Sequence, residues 1–144
     1  MIVVGFDGSG PATAALRWAA GEAGLRGVEL HVVRAWNLVE ELTAAMSGRD
    51  DLSGPVPPVS ELEASAHRRL EDDVAAVLSA EDRSSVRCRA VQGHPVSVLL
   101  EAAAQAELLV VGPRGRGRVA ELVLGSVSLA CVHQSACPVV VVHR

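Results

Sequence analysis

Apolar residues in this chain fall into two patterns: short unbroken blocks, and longer stretches where they recur every three or four positions. Met1-Ile-Val-Val-Gly-Phe-Asp7 is a block of the first kind and predicts a short buried strand that ends in a turn at Gly8-Ser9-Gly10. Pro11 follows where a first helical residue is welcome, because its missing N–H would be unpaired there in any case. From Pro11 to Gly24 the Ala-rich run puts Leu16, Ala19, Ala20 and Ala23 on one helical face, and Gly27 ends it. Val28 to Trp36 reads as a second strand.

Residues 37 to 59 change character. They hold Gly48, Gly54, Pro55, Pro57 and Pro58 around Arg49-Asp50-Asp51, and predict a loop long enough to be either mobile or functional, with residues 38 to 59 expected to be the most mobile part of the chain. Ser60-Glu-Leu-Glu63 fits a capping box, after which Leu62, Ala66, Leu70, Val74 and Leu78 mark a helix to about residue 80. Ser85 to Val91 alternates like a strand, and Gly93-His-Pro95 opens a third helix with Val96, Leu99, Leu100 and Ala103 inward. Leu108 to Val111 is a fourth strand, Gly125 to about Gln134 a last helix, and Pro138 to Val142 a last strand. Strand and helix thus alternate four times before a final strand. Continuous apolar strands in that order predict a single α/β domain, a five-stranded parallel sheet with helices on both faces and right-handed crossovers. Ligands of such sheets bind beyond the carboxyl ends of the strands, where the strand order reverses. That rule selects the tips of the first and fourth strands, Asp7 and Gly112 onward.

Composition narrows the chemistry. The 144 residues are 49% hydrophobic with a mean hydropathy of +0.30, which suits a globular core. Phe6, Trp18 and Trp36 are the aromatic residues, so Val, Leu and Ala must build that core. A net charge of -4 leaves no basic footprint for nucleic acid, and so few aromatics make no platform for stacked bases. All 13 basic residues are Arg, which excludes a P-loop lysine, a Schiff-base lysine and a lysine general base. No apolar run approaches the roughly 20 residues that cross a bilayer. Met1 leads straight into a strand-like run, so no signal peptide and no membrane contact are expected. Cys88, Cys131 and Cys137 lack motif spacing and read as reduced thiols of a cytoplasmic protein. His31, His67, His94, His133 and His143 have no metal-ligand spacing.

The fourth strand tip reads Gly112-Pro-Arg-Gly115-Arg-Gly-Arg118 and, after six residues, Gly125-Ser126-Val127-Ser128. Glycines let backbone approach a ligand closely, arginines bring charge beside it, and a helix start offers free amides and the Ser126 hydroxyl to an anion. The glycines alone would also fit a tight turn. Asp7 fits either a ligand contact or a local cap of its own loop.

The spacing Gly112-x2-Gly115-x9-Gly125-Ser126 resembles the nucleotide-binding signature of the ATP-binding universal stress proteins. Val4-Gly-Phe-Asp7-Gly-Ser9 with Ala15-Leu-Arg-Trp-Ala-Ala20 resembles that family's opening, and Ala136-Cys-Pro-Val-Val-Val-Val142 its close. The resemblance covers nearly the whole chain. It implies an adenine nucleotide alpha hydrolase-like, Rossmann-like fold with strand order 3-2-1-4-5, and ATP as ligand, alone or with Mg2+. It implies a site on Gly5, Asp7, Val111, Gly112, Arg114, Gly115, Arg118, Gly125, Ser126 and Val127, with Ala35 offering backbone groups to adenine. It further implies a homodimer through the last strand, Pro138 to Val142, and a protein partner of unknown identity. Two positions depart from the pattern: Pro113 removes a possible backbone donor, and Arg34 stands where many relatives carry His.

Three functions compete. A binding module would use ATP to change a surface that a partner reads, in signalling or stress response. A slow ATPase or phosphotransferase would need a positioned base and a well-held metal, and Asp7 is the one plausible acid. AMP or cyclic AMP could share the adenine and ribose contacts. A phospho-accepting receiver lacks its acidic pair and late lysine, and a flavodoxin-like flavin site lacks aromatics at the strand tips.

Gly115→Val is expected to abolish ATP binding while the fold persists, because the motif places the residue in a phosphate-facing loop. Replacing Arg116 should do much less, since neighbouring arginines cover for it and salt screens the loop. Titration calorimetry ranks the two, and ATP binding unchanged in Gly115→Val would rule the loop out as the phosphate site.

Overall fold

A computed structural model describes residues 1–47, 56–114 and 124–143 of the chain. Five parallel strands form one sheet, ordered β3-β2-β1-β4-β5. They are β1 (Ile2–Gly5), β2 (Leu30–Trp36), β3 (Val86–Gln92), β4 (Leu108–Val111) and β5 (Val139–Val141). The helices are α1 (Gly10–Arg26), α2 (Leu38–Met46), α3 (Val59–Val77), α4 (Pro95–Ala103) and α5 (Ser126–Gln134). The fold class and strand order expected from the sequence are therefore observed.

Strand alternation divides the core into two layers. Ile2, Val4, Leu30, Val32, Leu108 and Val110 face α1 and α3, where they meet Leu16, Ala19, Leu70 and Val74. Val3, Val33, Leu109 and Val111 turn the other way and meet Val98, Leu99 and Ala103 of α4 and Cys131 of α5. Leu108–Val111 is buried along its whole length, as expected of a strand covered on both faces. Cys131 is buried, Cys88 and Cys137 are half-buried, and all three are free thiols.

Local rules set the helix ends. The Ser9 side chain accepts from Ala12 N at the start of α1, and Pro11 lies in its first turn. Gly27 closes that helix at φ 65°, a left-handed conformation that glycine reaches without a steric penalty.

Three expectations need correction. The loop foreseen over 37 to 59 begins with helix α2 instead: Asn37 Oδ1 accepts from Glu40 N at 2.9 Å, and Leu42 packs near Trp36, Leu62 and Ala66. The glycines and prolines that suggested a loop all lie beyond that helix, and residues 48–55 fall outside the described part. The capping box at Ser60 is absent, because α3 starts at Val59 with Pro58 as its cap residue and no side-chain cap bond. Ser60 is already inside the first turn. In α4, Val98 joins Leu99 and Ala103 in the core, whereas Val96 and Leu100 are only half-buried. Strand and helix boundaries otherwise shift by a few residues, as when β1 ends at Gly5 rather than Asp7.

Two glycines of one helix should respond in opposite ways to alanine. Nothing lies within 4 Å of a Cβ at either Gly21 or Gly27. Gly21→Ala is expected to stabilise the protein by about 0.5–1 kcal/mol through helix propensity. Gly27→Ala should destabilise by about 1–2 kcal/mol, because it forces a Cβ into the left-handed region. Urea denaturation of both variants checks the two signs.

Candidate functional site

The β1–α1 connection is short and internally bonded. Asp7 Oδ1 accepts from Ser9 N at 2.9 Å, Gly8 turns the chain at φ 81°, and Thr13 Oγ1 donates to Ser9 O at 3.1 Å. This geometry carries Asp7 just past the end of β1 and brings the first turn of α1 against the tip of β4. There Gly112 is tightly confined: a Cβ would lie 3.0 Å from the carbonyl carbon of Pro11 and 3.2 Å from Ala12 N. Both obstacles are backbone and cannot swing aside. Gly112 O accepts from the buried Ser128 Oγ at 2.7 Å, and Pro113 O accepts from Gly125 N at 2.7 Å. The tip of β4 is thereby fastened to the beginnings of both α1 and α5.

Beside this junction a cavity of about 150 Å³ opens at the carboxyl ends of β1, β2 and β4, on the face covered by α4 and α5. Small residues make the space. Gly5, Val33 and Ala35 present little bulk, and a Cβ on Gly5 would come within 3.0 Å of Leu99 Cδ1. The first turns of three helices reach the wall through Ala12 of α1, Pro95 of α4, and Val127 and Ser128 of α5. Among the described residues neither His94 before α4 nor Gly125 before α5 supplies a side-chain cap, and the first amides of a helix are groups that a ligand can bond. Such amides and the helix dipole favour an anion. Asp7 is the one acidic side chain among the described lining residues, and Arg114 the one basic side chain. Among the described residues no group of three or more His, Cys, Asp or Glu side chains is gathered to hold a metal.

Of the positions expected from sequence, Gly5, Asp7, Ala35, Val111, Gly112, Arg114 and Val127 line this one cleft. Gly125 and Ser126 stand at the start of α5 and do not line it; Ser126 is exposed. Gly115 and Arg118 lie outside the described residues. Sequence reasoning missed Phe6, Ala12, Val33, Pro95, Leu99 and Ser128 as lining residues. Two signals could have found some of them. Val33 shares a face with Ala35 by strand alternation, and Leu99 was already placed on the inward face of its helix.

The universal stress protein family model matches residues 1–143. A universal stress protein of Mycobacterium tuberculosis strain H37Rv is 32% identical over 154 residues, and a second from the same strain is 35% identical over 150. Each alignment takes in 99% of this chain and 47% of the relative, so the chain spans about half the length of these curated relatives. The crystal structure of a universal stress protein in complex with cAMP is 28% identical, with a TM-score of 0.62 over 99% of this chain and 94% of that one. The universal stress protein from Archaeoglobus fulgidus in complex with dAMP shares the fold at 23% identity, with a TM-score of 0.66 over 99% and 96% of the two chains.

Alanine scanning of the cleft glycines should separate rigid from yielding walls. Gly112→Ala is expected to destabilise by about 2 kcal/mol or more, in the manner of an overpacked site, because backbone blocks the new methyl. Gly5→Ala should cost less, since the Leu99 side chain can rotate away. Thermal unfolding of the two variants tests that order.

Proposed function

The chain belongs to the universal stress protein family, and we propose that it binds an adenine nucleotide, ATP, in this cleft and works as a nucleotide-dependent signalling or stress-response module. The observation that carries the reading is the meeting of the β1 tip, the β4 tip and the uncapped start of α5 around one small-residue cleft. The base sits against Val33 and Ala35, where the end of β2 offers backbone groups to adenine. The ribose and phosphates run past Gly112 and Arg114 toward the amides of Gly125, Ser126 and Val127, with Gly115 and Arg118 of the spacing motif completing the phosphate loop. Asp7 faces the nucleotide or a Mg2+ that the phosphates bring with them. One carboxylate among the described lining residues, in a chain without lysine, supports binding rather than turnover. The relative solved with cAMP favours AMP or cyclic AMP as the second reading of the same site.

The module is further proposed to act as a cytoplasmic homodimer whose ligand state an unidentified protein partner reads. Support for the dimer comes from the sheet edge. β5 pairs with β4 on one side, its valines are only half-buried, and Leu129 and Val132 of the adjoining α5 are 45% and 46% exposed. Free thiols fit a reducing compartment, and no helix of the described residues is long and apolar enough to cross a membrane.

Denaturing the purified protein is expected to release an adenine nucleotide that mass spectrometry identifies, and a turnover assay with ATP should show at most slow hydrolysis. Asp7→Ala should weaken nucleotide binding by about 1–2 kcal/mol in calorimetry, the loss of one ligand hydrogen bond. Absence of binding to ATP, AMP and cyclic AMP alike overturns the reading. For the dimer, light scattering should find the parent protein dimeric at micromolar concentration and Val140→Lys shifted toward monomer, with circular dichroism confirming that the variant is folded. A monomeric parent removes that part of the proposal.

A further inference from the structure

Strand β2 presents Leu30, Val32, Arg34 and Trp36 in succession toward α1 and α3. Leu30 and Val32 are fully buried and Trp36 is 4% exposed. Arg34 therefore interrupts an apolar row in a sheet covered on both faces, where aliphatic residues are the norm. Its side chain is only 11% exposed, and its Nε is buried without a hydrogen-bond partner among the described residues. Desolvating a guanidinium in this way is costly, and a methionine of similar length would fill the same space without that cost.

What the guanidinium touches suggests its use. Arg34 Nη2 donates to Asp73 Oδ2 on α3 at 2.5 Å. Its central carbon stands 5.3 Å from the centroid of the Phe6 ring, within cation–π range. Phe6 lies between Gly5 and Asp7, lines the cleft, and is 4% exposed. It also lies where the sheet gives out: pairing of β1 with β4 ends at Val4, and beyond Gly5 the link to β2 is the bond from Phe6 N to Val33 O at 2.9 Å. The ring's seat is accordingly a main constraint on where Asp7 emerges.

We propose that Arg34 is a positioning residue for the cleft: anchored by Asp73, it clasps the Phe6 ring from the far face of the sheet and so sets the place of Asp7 and Gly5 on the near face. Asp73 is half exposed, which lets α3 hold the charge from the surface while the stack itself stays dry. Arg34 does not touch the ligand in this arrangement; its effect on nucleotide affinity passes through Phe6, and that part rests on the nucleotide-binding reading above.

The test uses the whole chain with Arg34→Met, Arg34→Lys and Asp73→Asn, two measurements on each, and melting temperature as a control. Amide hydrogen exchange needs no ligand. In Arg34→Met the amides of Phe6 and Ser9 should exchange several-fold faster while those of Val3 and Val4 and the melting temperature hold, since an apolar replacement keeps the packing. Calorimetry with ATP should show affinity about five- to tenfold lower, part of the roughly thirtyfold that one desolvated cation–π contact represents, since the effect reaches the ligand only through Phe6. Arg34→Lys, which keeps the charge but loses the planar fork, should fall between parent and Arg34→Met in both measurements. Asp73→Asn, a surface change that leaves the stack in place, should move both in the same direction by less. If Arg34→Met does not fold, Asp73→Asn alone decides. Unchanged exchange at Phe6 and Ser9, or a loss that merely tracks global stability, overturns the clasp. A parent that binds no adenine nucleotide sinks the nucleotide reading, while the exchange measurements still decide whether the clasp exists.

Discussion

Where β4 ends, its backbone lies so close to the first turn of α1 that a side chain at Gly112 would press on the backbone of Pro11 and Ala12 at 3.0–3.2 Å. The rest of the site follows from this approach. The Gly112 carbonyl is turned toward α5 and takes the buried Ser128 hydroxyl, and the Pro113 carbonyl takes the amide of Gly125. Two helix starts are thus pinned to one strand tip, at the place where the strand order reverses between β1 and β4. Packing and polar satisfaction act together here, because the Gly112 and Pro113 carbonyls both find their donors on or just before α5.

The two faces of the sheet do different work at this end. Toward α1 and α3 the side chains are large enough to fill the layer, with Phe6 and Trp36 at the carboxyl ends of the strands. Toward α4 and α5 the sequence of β1 and β2 thins to Gly5 and Ala35, and the space left is the cleft. A site of this kind needs few charged side chains. Helix starts border this cleft, and backbone amides at such ends are fixed by the fold and need no rotamer ordering. Arg34 is the exception in placement: a charge on the filled face, stacked behind the strand tip that borders the open one.

Much of this was legible in the chain before folding. Unbroken apolar blocks, such as Leu108–Val111, can satisfy neither water on one face nor a two-sided polar environment, so they must be covered strands. Gly27 after the Ala-rich run and Pro11 before it are local devices, and local devices act through backbone sterics that the neighbours hardly alter. The glycine spacing after β4 likewise pointed to the strand tip that borders the cleft. The helix over Leu38–Met46 escaped notice because the glycines and prolines that follow dominated the reading of that stretch; it buries no side chain fully, Leu38 and Val39 are exposed, and of its apolar residues only Leu42 and Met46 are half-buried. Ser60 was misplaced as a cap because capping depends on which residue first adopts helical dihedrals, a choice that packing of the α3 face can move by a residue.

The sequence by itself determined the order of the strands, the helices between them apart from α2, the parallel sheet and the two strand tips that border the cleft. Those properties depend on periodicity and on backbone conformations available to single residues. Only the tertiary structure decided that Gly112 answers to the backbone of Pro11 and Ala12, that Ser128 rather than Ser126 is the buried hydroxyl, and that Leu99 and Val33 wall the cleft. It also decided that Arg34 lies against Phe6 and Asp73. These are contacts between residues far apart in the chain. They arise from the register of neighbouring strands and the docking of helices on the sheet, which no local pattern encodes.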